Sequence, residues 1–327
     1  MMIQLMPALS RVLTVANGKG GAGKTSTACN MAGLAAAGGW RILFIEMDPQ
    51  GNAGRDFGYK ADGSGDDGAE LLRALQEGDA LRPVLENYRD GLDVIPGGKK
   101  LEDLEDILIG RARRSADADY VLARALIPIA HEYDLIIIDT PPTRPYLLSL
   151  ALTATRWVLI PTRADAASVD GLETLAERLV HARGLNPDIE VLGAILFDVE
   201  TTATSIRREA AADISAALGN VAPLFDTVIR HSTASAKSAR DRGLLVHELA
   251  ATVDNAAPFY EALRSGRRPE RLPGSAPALA DDYVLLVQEI LTTIAAKESE
   301  EESGEADSVV DGAEDDAAIE SKVVVAQ

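Results

Sequence analysis

Nine residues constrain this chain most: Gly18-Lys19-Gly20-Gly21-Ala22-Gly23-Lys24-Thr25-Ser26. They lie between the apolar run Val12-Leu13-Thr14-Val15-Ala16 and the helix-like Thr27-Ala28-Cys29-Asn30-Met31-Ala32. Strand, glycine loop and helix in that order are what a phosphate cradle needs. The glycines let consecutive backbone N–H groups curl around phosphate oxygens with no Cβ in the way, and the helix aims its positive dipole end at the same anion. Gly18, Gly23, Lys24 and Thr25 complete the pattern GxxxxGK[ST], in which Lys24 reaches the β- and γ-phosphates and the Thr25 hydroxyl holds Mg2+. A nucleotide with Mg2+ is the expected ligand.

At 327 residues the chain is long enough to bury a large core. Residues 41–47 read as a second strand running into Asp48-Pro49-Gln50-Gly51-Asn52. Residues 53–68 read as a mobile loop, 69–77 and 80–87 as short helices, 92–96 as a strand, and 100–109 and 117–131 as helices. The most apolar strand, Leu135-Ile136-Ile137-Ile138-Asp139, ends in an acid, as suits a central parallel strand whose carboxyl end opens on a site. Three strand–helix pairs follow: 156–160 with 169–182, 191–197 with 205–217, and 224–229 with 232–241. This alternation predicts an α/β fold, a doubly wound, mostly parallel sheet flanked by helices. One domain, 1–296, is expected to carry an irregular Pro/Gly/Arg-rich insertion at 254–282 and a final helix at 283–295, and the acidic tail 297–327 is expected to be disordered. Tyr283, Val287, Ile290 and Ile294 share one face of the final helix, which reads as packing on the sheet; membrane binding is the alternative.

The net charge of −19 is uneven. The eleven acids and two bases of 297–327 account for −9, leaving −10 for residues 1–296, so the total says little about any one face. The single cysteine, Cys29, excludes a disulfide framework or a cysteine-held cluster, and its place behind the loop predicts a buried, inert thiol. The first residues have no basic region followed by an apolar core, and no apolar run nears 18 residues, which predicts a soluble, cytoplasmic protein. Asp139 stands where an acid would join Thr25 in holding the Mg2+ shell. Asp48 would orient the attacking water near the γ-phosphate if the second strand lies beside the first.

The run from Lys19 to Ser26 resembles the deviant Walker A motif, KGGxGK[TS][TS], of the ParA/MinD group of P-loop ATPases. Asp48 to Asn52 resembles the DPQGN switch of the ParA branch, and Tyr133 to Pro142 resembles its YDxIIIDxPP switch. The resemblance covers about residues 10–250 and implies an ATPase whose two subunits meet around ATP and Mg2+. It implies that Gly20, Gly21, Ala22, Gly23, Lys24, Thr25 and Ser26 bind the nucleotide, that Thr25 and Asp139 serve the metal, and that Asp48 is catalytic. Lys19 would reach the partner subunit's phosphates as an arginine finger does. It further implies non-specific DNA binding by the ATP homodimer, a nucleoid-associated location, and hydrolysis stimulated by a ParB-like centromere-binding partner.

DNA binding needs phosphate-neutralising bases. Thr201 to Arg271 holds ten bases against eight acids, and Arg207, Arg208, Lys237, Arg240 and Arg242 are the candidate contacts. Three departures from the family pattern stand out. Glu46 replaces the first aspartate of DxDPQ. In Thr227-Val228-Ile229-Arg230-His231, Arg230 and His231 replace the Pro-Arg of TVIPR and so stand on the adenine side. The family's DNA-binding arginine falls on Ala234. Only about ten residues precede the first strand, which predicts no N-terminal helix-turn-helix. A MinD-like membrane-cycling ATPase and a metabolic ATP-dependent enzyme on the same fold are the alternative functions.

Overall fold

The computed structural model describes residues 6–113, 116–200, 204–218, 222–256, 264 and 271–324; some side chains within these, Arg207 and those of 304–324 among them, lie outside the description. The strands are β1 (Val12–Val15), β2 (Ile42–Glu46), β3 (Leu85–Arg89), β4 (Leu92–Ile95), β5 (Leu135–Asp139), β6 (Trp157–Thr162), β7 (Glu190–Val199) and β8 (Leu224–Arg230). The helices in the first half are α1 (Met6–Leu9), α2 (Lys24–Ala37), α3 (Ala53–Phe57), α4 (Tyr59–Asp62), α5 (Ala69–Glu77), α6 (Leu104–Ala112) and α7 (Val121–Ala130). Those in the second half are α8 (Pro145–Thr153), α9 (Ala166–Leu185), α10 (Thr204–Leu218), α11 (Thr233–Arg242), α12 (Val246–Asp254) and α13 (Ala276–Val324). Among the described residues no helix is long and apolar enough to cross a membrane.

The strands form one sheet in the order β3-β4-β2-β5-β1-β6-β7-β8, parallel throughout except for β3 against β4. β1, β2 and β5 are buried at every residue. Strands buried on both faces need helices on both faces. Leu43, Ile45, Ile136 and Ile138 join the core formed with α5 to α8, and Val158, Ile160, Ala194 and Leu196 join that formed with α9 and α10. Each of these leucines, isoleucines and valines contributes roughly 1.5–3 kcal/mol of burial. α2 packs on β1, β2 and β5 and is buried almost all round. Its small residues make that possible: a Cβ at Gly33 would fall 2.0 Å from the Leu245 side chain.

The alternating α/β layout is as the sequence predicts, with four differences. Residues 80–87 are not helical; Leu85–Arg89 is an edge strand turned back on β4 through Asp90-Gly91, with Gly91 at φ +75°. Asp-Gly favours such a two-residue hairpin turn. The loop 53–68 contains α3 and α4. β2 does not lie beside β1, because β5 pairs with both and fills the place between. The last helix begins at Ala276, with Pro277 tolerated in its first turn, and runs on to Val324 where a disordered tail was expected. Beyond 297 the chain has no proline and is rich in Glu and Ala, strong helix formers.

Two units make up the chain. In the first, Met1–Val287, Tyr283, Leu286 and Val287 of α13 are buried. The second, Gln288–Gln327, is helical as far as Val324. Of the expected insertion 254–282, residues 257–263 and 265–270 lie outside the described residues.

Candidate nucleotide-binding site

Val15 of β1 and Glu46 of β2 both pair in register with Asp139 of β5, so three strand ends stand level beneath the glycine loop. Asn17 shapes the exit from β1. Its Nδ2 donates to the Pro161 carbonyl at 2.7 Å and its Oδ1 accepts from the Lys19 N–H at 2.8 Å. Gly21 and Gly23 take φ +77° and +90°, left-handed backbone that residues with a Cβ avoid. A Cβ at Gly23 would also stand 2.5 Å from the Phe197 ring. Ala22 is buried, Gly20 is exposed, and α2 begins at Lys24, leaving its first N–H groups without helical acceptors.

Gly21, Gly23, Lys24, Thr25, Ser26 and Asp48 line a pocket of about 230 Å3. Lys24 is buried and its Nζ donates to the Lys19 carbonyl at 2.9 Å. Burial pushes its pKa down, while Asp139 and Asp48 oppose the shift. Asp139 is fully buried and neither of its oxygens is satisfied by a hydrogen bond of normal geometry. Burial, reinforced by Glu46, pushes its pKa well up, while the Thr25 hydroxyl and Lys24 pull the other way. An orphaned buried carboxylate next to a threonine hydroxyl fits a Mg2+ ion with its water shell. Asp48 reaches the same pocket although β2 is one strand away from β1, since the level strand ends bring its turn over the loop. Its Oδ1 accepts from the Gln50 N–H at 2.9 Å.

Glu46 has a different task. It is not among the described residues lining the phosphate pocket. Fully buried, it accepts from the Ala53 N–H at 2.7 Å, the Tyr59 hydroxyl at 2.8 Å and the Gly97 N–H at 3.2 Å, pinning the switch loop to the chain beyond β4. Burial raises its pKa to about 7 against those three donors. The longer side chain has room because Gly97 lacks a Cβ, which would lie 2.8 Å from the Glu46 Cγ. Cys29 is buried and its thiol pKa pushed well up by burial, so it is inert as read.

Lys19 turns away from the pocket, its Nζ donating to Asp165 Oδ1 at 2.6 Å. Beyond it, at the ends of β6, β7 and β8, Arg163 pairs with both Asp165 and Asp198, and Asp198 Oδ1 meets His231 Nδ1 at 2.6 Å. Arg230 holds Asp282 of α13 through two bonds of 2.6 Å and its own backbone N–H at 3.0 Å. Arg230 and His231 line a cavity of about 630 Å3 that also touches Gly21, Gly23 and Phe197. Among the candidate DNA contacts, Arg208, Lys237 and Arg242 are exposed, and the Arg207 side chain lies outside the described residues. Arg240 departs from the expectation of an open surface cation: its guanidinium turns inward to Asp56 and Ser26. Asp56 and Asp165 carry no local sequence signature, because their partners stand 184 and 146 residues away.

A glycine cradle at a helix N-terminus, with lysine, threonine and an unsatisfied acid converging on it from a parallel sheet, is the site of a P-loop nucleoside-triphosphate-binding protein. A family profile described as an AAA domain matches residues 10–191. The ParA chromosome partitioning protein of Caulobacter vibrioides is 35% identical over 223 residues, 67% of this chain and 80% of that one. The ParA chromosome partitioning protein of Myxococcus xanthus is 38% identical over 192 residues, 58% of this chain; the match spans 65% of that protein, just under two thirds. Among solved structures, cobyrinic acid a,c-diamide synthase from Mycobacterium smegmatis with bound ADP and magnesium is 25% identical. It superposes at a TM-score of 0.60 over 80% of this chain and 99% of that one. The chain belongs to the ParA-type partition ATPase family, and its fold is one that holds nucleotide and Mg2+.

Proposed function

We propose that this protein is an ATP-hydrolysing partition motor of the cytoplasm and nucleoid. Its ATP-bound homodimer binds DNA without sequence preference, and a ParB-like partner stimulates its turnover. Within each subunit, Lys24 holds the β- and γ-phosphates, and Thr25 and Asp139 hold Mg2+, which neutralises charge on the phosphates. Asp48 orients the attacking water. Lys19 supplies a positive charge to the partner's phosphates as hydrolysis proceeds.

The observation that carries the reading is the placement of Lys19. It stands in the glycine loop yet is not among the described residues lining its own phosphate pocket, being drawn aside by Asp165. A lysine in that loop that does not serve its own site is available to a neighbour's. The sequence relatives named above, at 35% and 38% identity, are partition proteins, which favours this function over a metabolic reaction on the same fold.

The test is DNA binding by the purified chain with ATP, ADP or a slowly hydrolysed analogue across a salt series, with sedimentation velocity on the same samples. ATP-specific binding to unrelated sequences, falling steeply with salt, is expected. Lys19→Ala is expected to keep ATP affinity and lose the dimer. A dimer unchanged in that variant sinks the trans role, and DNA binding indifferent to nucleotide sinks the partition reading.

A further inference from the structure

The inward turn of Arg240 places a cation from α11 at a particular spot on the nucleotide cleft. Its Nε donates to Asp56 Oδ1 at 2.6 Å and its Nη2 to Ser26 Oγ at 2.7 Å. Ser26 Oγ in turn lies 3.3 Å from Asp56 Oδ2. Ser26 follows Thr25 in the first turn of α2, and Asp56 belongs to α3, just beyond the switch loop. Asp56 is buried, so the pair fixes the guanidinium in place, while the Arg240 side chain stays 48% exposed.

What faces that exposed edge is a seam. Arg240 lines the 230 Å3 phosphate pocket together with Lys24, Thr25 and Asp48. It also lines the 630 Å3 cavity together with Phe197, Ile229 and His231. Gly21, Gly23, Ser26 and Arg240 are the residues common to both. A nucleotide with its terminal phosphates at Lys24 and its base in the larger cavity crosses this seam at the phosphate next to the ribose.

We propose that Arg240 is a ligand of the nucleotide's α-phosphate, delivered from α11 and held in position by Asp56. This rests on the nucleotide-binding reading above and adds a residue that the glycine-loop motif does not contain. The guanidinium is a planar fork of five donors, two of them engaged here in the bonds to Asp56 and Ser26; it meets phosphate oxygens in charge-assisted bonds while its Nε remains on Asp56. α11 also carries Lys237 and Arg242, so occupancy of the cleft is linked directly to a helix that bears two of the other candidate DNA contacts.

The proposal is tested on the full chain by titrating Mg-ATP and Mg-ADP into wild type, Arg240→Gln, and the double variant Arg240→Gln/Asp56→Asn. The α-phosphate is common to both nucleotides, so both affinities should fall by a similar factor, roughly tenfold or more. A loss confined to ATP assigns Arg240 to the γ-phosphate and overturns the proposal. Arg240→Gln leaves a buried carboxylate unpaired and can weaken the fold by that route. The double variant removes both charges together. If Arg240 matters only as the partner of Asp56, the double variant regains wild-type affinity and the proposal falls; affinity that stays low for both nucleotides supports it. Lys24→Ala is the parallel control. Wild type that binds neither nucleotide overturns the site reading itself, whereas wild type that binds, Lys24→Ala that does not, and Arg240 variants that match wild type overturn only the role of Arg240.

Discussion

The phosphate side and the nucleoside side of the cleft handle charge in opposite ways. On the phosphate side Lys24, Asp48 and Asp139 are buried together, and both oxygens of Asp139 are left unsatisfied by the protein. On the nucleoside side the charges take up one another: Arg163 with Asp198, Asp198 with His231, and Arg230 with Asp282. A buried polar group without a partner costs stability until something completes its bonding. The phosphate side is thus shaped by what it binds, and the nucleoside side by its own internal pairing. Substitutions should therefore cost binding on the first side and folding stability on the second.

The largest effect expected is on the phosphate side. Lys24→Ala should lower ATP affinity by roughly two orders of magnitude, read by calorimetric titration, because a charge-assisted contact to two phosphates is lost from a buried site. Retained affinity would mean that the loop is not the phosphate site.

Glu46 lies behind that side and gives a pH signature. Its folded pKa of about 7 stands above its ordinary value of 4.5. The native state therefore holds a proton that the unfolded chain gives up, so this stabilising contribution is full below about pH 4.5 and is lost as pH rises through 7. Relative to Glu46→Gln, which cannot titrate, wild type should lose about 3 kcal/mol between those limits in urea unfolding. Parallel profiles would show that Glu46 is ionised throughout.

Asp139→Asn separates binding from stability at one residue. Replacing a buried carboxyl whose ionisation burial disfavours should stabilise the ligand-free protein by roughly 1–2 kcal/mol in the same unfolding assay. It should also make nucleotide affinity nearly independent of Mg2+. Loss of stability together with unchanged Mg2+ dependence would place the metal elsewhere.

The smallest binding effect is expected across the cleft. Arg230→Ala should cost about 1 kcal/mol of stability, the worth of a partly exposed ion pair, and change ATP affinity less than about threefold. A loss comparable to that of Lys24→Ala would erase the contrast between the two sides.

The same contrast explains what could be read from the chain. Gly18 to Ser26, Asp48 and Asp139 could be proposed as one site from the chain because a glycine loop and strand-end acids form a pattern of residue types at fixed spacing, and the level strand ends bring them together. Arg230 and Arg240 were legible only as cations. Their orientation is set by Asp282 and Asp56, 52 and 184 residues distant, and no local pattern announces such partners. β3 was missed because an edge strand reading Leu-Glu-Asn-Tyr-Arg is only half-buried and lacks the apolar alternation of an inner strand, although Asp90-Gly91 signalled the hairpin.

The level ends of β1, β2 and β5 also bear on time. Each of these strands is bonded to neighbours on both sides and buried at every residue, so its amide hydrogens exchange with solvent only when the whole sheet opens. The turn from Asp48 to Asn52 belongs to no strand or helix, and its Gln50 and Gly51 N–H groups are bonded only to Asp48, so it is expected to exchange through local opening. The slowest and fastest backbone protons near the cleft thus lie a few residues apart, and any record of nucleotide arrival in exchange rates will be written in the turn while the strands beneath it stay silent.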